Sequence, residues 1–422
     1  MKTILVIGPT AWDREELAAP RLAASYRFQF IDDGACSVPA RIGLRHLFRR
    51  FDPLPYIDRL AALDGTIDGV LGTDDYLAAS VAAAVAQKRG LPGPAPKAVL
   101  LCQHKFHARE VLAEVAPEAT PQFVVIDSRA HAPAIGLPLF VKPVRGTFSI
   151  LAKRIDSLAE LRTHVRIGFA TRRVALNLLW PYDRLLSYYR PTSLPAGCFI
   201  GERILDGALV TVEGFAARGR VEFLGITDSI MYEGTISFRR FDYPSRLPES
   251  VQARMRELAT RAVLRLGLDD TVFNVEMFFN AASDSIHIVE VNPRMAYQFA
   301  DLYEKVDGNN TYDVQLALVT GDTPVVRRAQ GPHRVATSFV FRRFDDAVLT
   351  RQPTAADLSC LRAQIPDVRV RLYGETGRRL SQIEQGVESY RYAIVNLGGS
   401  SWDDLDAQFE MAKKFLPFEF AR

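Results

Sequence analysis

The spacing of apolar positions changes several times along the chain, and each change marks an element. Residues 4–7, Ile-Leu-Val-Ile, form an unbroken apolar run ending at Gly8-Pro9. Such a run suits a strand buried on both faces. Residues 27–31 and 68–71 predict two more strands, which end at Asp32-Asp33-Gly34 and Gly72-Thr73-Asp74-Asp75. A helix then turns Leu77, Val81 and Val85 to one side, with Gly90 placed to cap it. Strands alternating with helices over residues 1–95 predict a small parallel α/β domain. The ligand side of such a domain lies at the carboxyl ends of its strands. No GxGxxG follows the first strand, so a dinucleotide site is not indicated.

Leu91-Pro92-Gly93-Pro94-Ala95-Pro96 is a linker, because its prolines cannot continue a helix. A helix is predicted over 97–115, with Lys105 and Arg109 one turn apart on one face. Residues 96–325 read as a strand-rich central domain, with strands at 123–126, 139–142, 199–204, 209–215, 221–227, 272–279 and 286–291. Two helices interrupt them. One opens at the capping pattern Ser157-Leu158-Ala159-Glu160. The other covers 249–266 with an apolar stripe of Val251, Met255, Leu258, Ala262 and Leu266 before Gly267. Residues 326–422 predict a third unit with strands at 336–341, 368–372 and 393–396. Its last helix is capped at Ser401-Trp402-Asp403-Asp404 and turns Leu405, Phe409, Ala412 and Phe415 inward.

The most informative pattern is Phe273-Asn274-Val275-Glu276-Met277, a polar turn, and Ile288-Val289-Glu290-Val291-Asn292-Pro293-Arg294. Two strand signals around a turn predict an antiparallel hairpin. With the turn centred near Ser283, Glu276 faces Glu290 and Asn274 faces Asn292, all on one side. Phe273, Val275, Met277, Val289 and Val291 take the other side as core. Opposed carboxylates repel unless a cation lies between them. Glu oxygens with an Asn carbonyl are hard ligands suited to Mg²⁺. Pro293 ends the strand and sets Arg294 beside that position, where it can hold a carboxylate or developing phosphate charge.

Composition excludes more than it identifies. The chain has 422 residues, 48% apolar and 24% charged, with a net charge of +3. That balance gives no general attraction to nucleic acid or anionic membrane. The basic runs at 45–50 and Arg239-Arg240 read as solvated faces. Cys36, Cys102, Cys198 and Cys360 have no CxxC spacing, and His104 and His107 have no partner motif, so neither a zinc ribbon nor a disulfide framework is indicated. No apolar stretch approaches a membrane span, and the N-terminal run is too short for a signal-peptide core; a cytoplasmic location is expected.

Two further constellations complete the picture. Phe140-Val141-Lys142-Pro143-Val144-Arg145-Gly146-Thr147-Phe148-Ser149 ends an apolar strand in a lysine and a turn that can cradle phosphate. Ile200-Gly201-Glu202-Arg203-Ile204-Leu205-Asp206-Gly207 followed by Val210-Thr211-Val212-Glu213-Gly214 offers backbone groups to a flat heterocycle or forms a plain hairpin.

Together these pieces resemble the ATP-grasp superfamily, particularly its carboxylate–amine (L-amino acid) ligases. The resemblance implies an α/β (α+β) ATP-grasp fold with three units, at 1–95, 96–325 and 326–422. It implies ATP and Mg²⁺, or Mn²⁺ in its place, and a reaction that joins a small carboxylate to an amine through an acyl phosphate, releasing ADP and phosphate. On that resemblance Lys105 and Lys142 contact phosphates. Glu202, Arg203 and Leu205 line the adenine slot, and Glu213 belongs to the nucleotide side. Glu276, Glu290 and Asn292 hold the metal, and Arg294 and Lys142 serve the chemistry. A lid is expected within 233–244. Small-molecule partners are implied, with no nucleic acid and no membrane, and a homodimer is compatible. The neighbouring readings are an ATP-grasp carboxylase, a peptide-modifying ligase and a non-catalytic nucleotide-binding protein. Two positions depart from the family: Leu209 stands where many relatives carry a ribose-binding acid, and Met295-Ala296-Tyr297-Gln298 stands where many carry glycines.

Overall fold

The computed structural model describes residues 1–37, 50–126, 131–146, 151–166, 169–190, 194–195, 197–382 and 389–421. Thr147, Phe148 and Ser149 of the loop after Lys142, and Arg45 and Arg49 of the basic run, lie outside them. β1 (Lys2–Ile7), β2 (Tyr26–Ile31) and β3 (Gly69–Leu71) pair in parallel in the order β2-β1-β3. β1 is apolar and buried from Ile4 to Ile7 because both of its faces are covered there. Leu5 and Ile7 pack with Val81 and Val85, whereas Ile4 and Val6 pack with Tyr312 and Leu316. The helix Ala78–Arg89 ends at Gly90 in the left-handed conformation, as its spacing predicts.

The helix expected over 97–115 is two helices, Pro96–Gln103 and Lys105–Val115. His104 breaks the run. It takes an extended conformation, and its ring Nδ1 accepts the N–H of His107 at 3.3 Å, capping the second helix. Lys105 is thereby placed on the first turn of a helix.

A small antiparallel sheet follows, made of β4 (Phe123–Ile126), β5 (Leu139–Pro143), β6 (Lys153–Ile155) and β7 (Phe199–Arg203) in the order β4-β7-β5-β6. The helix capped at Ser157 is present as Leu158–Val165, and a second helix that the spacing does not predict, Phe169–Tyr189, runs through Pro181 before β7. Its Tyr182, Leu185 and Leu186 are buried against the core around β1, and that burial overrides the local proline signal.

The large sheet is built from β8 (Ala208–Ala217), β9 (Arg220–Met231), β10 (Phe238–Tyr243), β11 (Thr271–Asn280), β12 (Ser285–Asn292) and β13 (Val335–Arg343). After β14 (Val348–Arg351) it is completed by β15 (Arg369–Leu372) and β16 (Tyr390–Gly399). Its order is β12-β11-β8-β9-β10-β13-β16-β15, while β14 pairs apart with β17 (Glu419–Ala421). Helix Glu249–Leu266 covers one face of the β8–β11–β12 end, burying Met255, Ala259 and Val263 against Val212, Val275 and Met277.

Two expectations are corrected here. β7 and β8 are not a hairpin: they lie in different sheets, and the connector 204–207 crosses from the small sheet to the large one. Gly207 sits there at φ 110°, against the carbonyl of Phe279, where a side chain has no room. Half of the expected lid at 233–244 is β10, which pairs with β9 on one side and β13 on the other. A strand bonded along both edges cannot swing as a lid.

Candidate functional site

The β11–β12 hairpin has the register that parity predicts: Glu276 lies opposite Glu290 and Asn274 opposite Asn292. The turn is one residue shorter than a strict ladder requires, since Asn280 pairs with Ser285. A bulge restores the register, because Met277 pairs with Ile288 while Glu276 pairs with Glu290, leaving Val289 unmatched. Val289 is therefore not core. It lines the cavity, and Ile288 takes its place among the buried residues. Bulges re-aim side chains beside functional sites, and this one turns two successive residues, Val289 and Glu290, toward the same cleft.

That cleft is a cavity of about 330 Å³ between the two antiparallel sheets and the N-terminal unit. Glu276 and Glu290 line it together with Lys105, Lys142 and Arg294. Lys105 Nζ lies 3.3 Å from Glu290 Oε2 and donates to the Gly146 carbonyl at 3.0 Å. The two acids are unequal. Burial, and then the charge of Glu290, push the Glu276 carboxyl up to about 7. Burial also works against Glu290, but Lys105 and then Lys142 outweigh it and hold that carboxyl below its ordinary value. Asn292 donates from Nδ2 to Asn274 Oδ1 at 2.9 Å and to Glu290 Oε1 at 3.4 Å, and Asn274 Nδ2 donates to the Arg294 carbonyl at 3.0 Å. These amides fix the turn that carries Arg294.

Glu202 is in a different situation. Its side chain, pointing in from β7, is bound by Arg109 Nε at 2.6 Å and Lys142 Nζ at 2.7 Å, all three being buried. Burial opposes the charged form, yet Arg109 and Lys142 hold the carboxyl at about 2. Arg109 also donates to the carbonyl of Val289 at 2.7 Å, so it ties the bulge of the large sheet to β7 of the small one. Arg109 and Lys105 stand one turn apart on one helix; Lys105 ends in this cleft, whereas Arg109 is buried on Glu202 and the Val289 carbonyl.

The N-terminal wall is the part that motif reading leaves out. Asp74, Asp75 and Tyr76, in the loop after β3, line the cavity. Buried Arg145 holds them: it lies 3.3 Å from Asp75 Oδ2, donates to the Tyr76 carbonyl at 3.0 Å and stacks 5.2 Å from the ring centre of Tyr182. Arg294 Nε approaches Asp75 Oδ1 at 3.9 Å. Burial would raise the Asp75 carboxyl, but Arg145 and then Arg294 hold it at about 2. The placement of these acids at a strand's carboxyl end was the available signal. From β13 and β16 of the large sheet come Val340, Arg342 and Arg391, from β10 come Phe238 and Phe241, and from the segment after Arg294 come Tyr297, Gln298 and Phe299.

The remaining sequence-marked residues sit around this centre. Arg203 is exposed and Leu205 half-buried at the crossing between sheets, Arg203 N–H donating to the Gln122 carbonyl at 3.0 Å. Glu213 is fully buried behind the cavity wall; its Oε1 accepts the N–H of Ala296 at 2.8 Å, and burial pushes its carboxyl up to about 8. Leu209 is buried in β8 opposite Phe278. Met295 is core, whereas Ala296, Tyr297 and Gln298 line the cavity.

Among the described residues no group of three or more His, Cys, Asp or Glu gathers to hold a metal. An ion at the hairpin would rest on two carboxylates, an amide oxygen and non-protein oxygens, the sparse hard set that suits Mg²⁺ bound to phosphate. No described helix is long and apolar enough to cross a membrane.

Comparison with known proteins places this geometry. Residues 135–302 match the ATP-grasp domain family. A D-alanine--D-alanine ligase of Deinococcus radiodurans is 25% identical over 181 residues, covering 42% of this chain and 48% of that protein. The chain thus spans about half the length of the curated relatives it matches. Among solved structures, the L-amino acid ligase from Bacillus licheniformis superposes with a TM-score of 0.74 at 17% identity, covering 100% of this chain and 99% of that one. A carboxyaminoimidazole ribonucleotide synthase from Aspergillus clavatus, complexed with ATP, gives 0.66 at 14% identity, with 98% of each chain covered. This arrangement of sheets is the ATP-grasp fold.

Proposed function

We propose, from the premise that this chain carries an ATP-grasp domain, that it is an ATP-dependent carboxylate–amine ligase acting on small amino-acid-like substrates. The observation that carries the reading is the opposed pair Glu276 and Glu290 on a cavity wall that also bears Lys105, Lys142 and Arg294. Two carboxylates face to face beside three cations make little sense as a structural ion cluster. They make sense as a site for a divalent ion bound to a polyphosphate.

In this reading the adenine lies at the crossing between the sheets, by Glu202, Arg203 and Leu205. Lys105 and Lys142 neutralise the phosphates, and Glu276, Glu290 and Asn292 hold Mg²⁺. When bound there, the ion would supply charge neutralisation for the phosphates as the transfer proceeds. Arg294 holds the substrate carboxylate in line with the terminal phosphorus, so that the carboxylate oxygen attacks and ADP leaves. An amine then attacks the acyl carbon, and phosphate departs. Positioning and charge neutralisation account for most of such a rate. Glu213 keeps its nucleotide-side assignment only indirectly: it fixes the Ala296 N–H and so the segment after Arg294. We propose the division at 1–95, 96–325 and 326–422 as the working frame for truncation.

Pairs of amino acids offered with ATP and Mg²⁺ test this, read as ADP and phosphate release. The expected result is release that depends on both partners. Release that depends on bicarbonate alone, or no release with any pair, would remove the reading.

A further inference from the structure

Every acidic side chain lining the cavity is committed except one. Glu276 and Glu290 face each other across the hairpin. Asp75 is tied to Arg145 and Arg294. Asp74 accepts only the N–H of Tyr76, at 2.8 Å from Oδ1, and makes no ion pair among the described residues. Its loop is held firmly. Thr73 Oγ1 donates to buried Asp13 at 2.8 and 2.7 Å, Tyr312 donates to the same carboxylate at 2.8 Å, and the Asp74 carbonyl accepts from Ala79 N–H at 3.1 Å. Gly72 packs against the Ala78 carbonyl with no room for a side chain. A buried triad and a close backbone contact thus hold one free carboxylate at the rim of a cavity whose phosphate end is already cationic.

We propose that Asp74 receives the amine substrate as an ammonium ion and takes its proton, so that the acceptor is a basic aliphatic amine such as an α-amino group. The inference rests on the ligase reading and narrows it. A weakly basic aromatic amine, or bicarbonate, brings no positive charge and has no use for this carboxylate. The location is right for the second half-reaction. Asp75, the next residue, lies 3.9 Å from Arg294, and Arg294 is the group that would hold the acyl phosphate. The phosphate end, with Lys105, Lys142 and Arg294, repels an ammonium, and Asp74 offers it a place on the N-terminal wall.

The step balances. The ammonium gives a proton to the Asp74 carboxylate and becomes a neutral amine. Its lone pair attacks the acyl carbon, the bond from that carbon to the phosphate oxygen breaks, and phosphate leaves with the electron pair. The second N–H proton goes to the departing phosphate, and Asp74 returns its proton to solvent. Burial lifts the Asp74 carboxyl above its ordinary value; the Tyr76 N–H, Arg294 and Arg145 pull down and Asp75 pushes up. A carboxylate so raised is a stronger base than one in water.

The test separates amine handling from acyl-phosphate formation. Hydroxylamine is largely uncharged at neutral pH and traps acyl phosphates without deprotonation. The common amino acids are offered singly with hydroxylamine, and in pairs without it, to the full chain with ATP and Mg²⁺. In Asp74→Asn, whose amide still accepts from Tyr76, amide formation from the best pair is expected to fall about 10²-fold or more in kcat/KM for the amine. Hydroxamate formation is expected to fall only a few fold. Asp74→Glu, which keeps the charge, is expected to recover part of the loss. Equal loss of both products, or full amide formation in Asp74→Asn, overturns the assignment. A wild-type chain that makes neither hydroxamate nor ADP overturns the ligase reading itself, which is a different result.

Discussion

Two carboxylates at one cleft, Glu202 buried and Glu276 half-buried, have opposite environments. Glu202 is bonded to Arg109 and Lys142 at 2.6 and 2.7 Å, and its carboxyl is held at about 2. Glu276 faces another acid, and its carboxyl is pushed up to about 7. The first is a finished ion cluster whose charges are balanced within the chain. The second is unfinished, and a fold that keeps it does so for something brought from outside. The same lysine serves both, since Lys142 bonds Glu202 and also helps to hold Glu290 ionised.

Single substitutions on either side test the contrast. Glu290→Gln removes a charge from the unfinished pair and is expected to lower ADP formation by about 10³-fold or more, because transfer without the ion loses its main charge neutralisation. Its denaturation midpoint should change little, since the repulsion from Glu276 and the 3.3 Å ion pair with Lys105 are lost together. A fully active Glu290→Gln enzyme would show that no metal rests there. Glu202→Ala does the reverse. It strands Arg109 and Lys142 in a buried place, and a loss of about 3 kcal/mol of stability is expected, read by chemical denaturation. If that variant unfolds no more easily than wild type, the cluster is not structural.

Lys142→Ala lies between the two. Glu202 keeps Arg109, so the stability cost should be less than that of Glu202→Ala, while ATP affinity should weaken roughly tenfold or more by calorimetry. Unchanged ATP affinity would leave Lys142 as a partner of Glu202 and nothing else.

How far these regions were legible follows from how they are built. The hairpin carries its information locally: period two fixes faces, and the Asn-Pro-Arg ending fixes the strand's end, so Glu276, Glu290 and Arg294 could be placed together. Even there the bulge at Val289 escaped, because a symmetric turn and a shorter turn with a bulge give the same pairing at Glu276. The fold's N-terminal strands and the helix Glu249–Leu266 were readable for the same reason, a clean period ended by glycine. The other wall is not local. Asp74 and Asp75, and Arg342 with Arg391, come from segments far apart in sequence, and only tertiary packing brings them to one cavity. β10 and helix Phe169–Tyr189 were missed because each owes its state to neighbours, β10 to strands on both edges and the helix to the core that buries Tyr182.

A third acid sharpens the comparison by making no ion pair among the described residues, Arg294 acting on it only at a distance. Glu213 is fully buried, its Oε1 accepts the Ala296 N–H, and burial pushes its carboxyl up to about 8, far above the ordinary 4.5. Between those values the folded chain holds a proton that the unfolded chain has lost. Stability from this group is therefore full below about pH 4.5 and declines as pH rises through 8, after which it levels off. Glu213→Gln keeps a carbonyl for Ala296 and has no proton to lose. Its melting temperature is expected to match wild type near pH 5 and to exceed it by roughly 1–3 °C near pH 9, the smallest effect of the series. Because the Ala296 N–H anchors the segment just after Arg294, kcat in the variant should also keep its value further into the alkaline range. Melting curves of equal slope against pH for the two proteins would mean that Glu213 stays ionised in the folded chain, and that a cation compensates it after all.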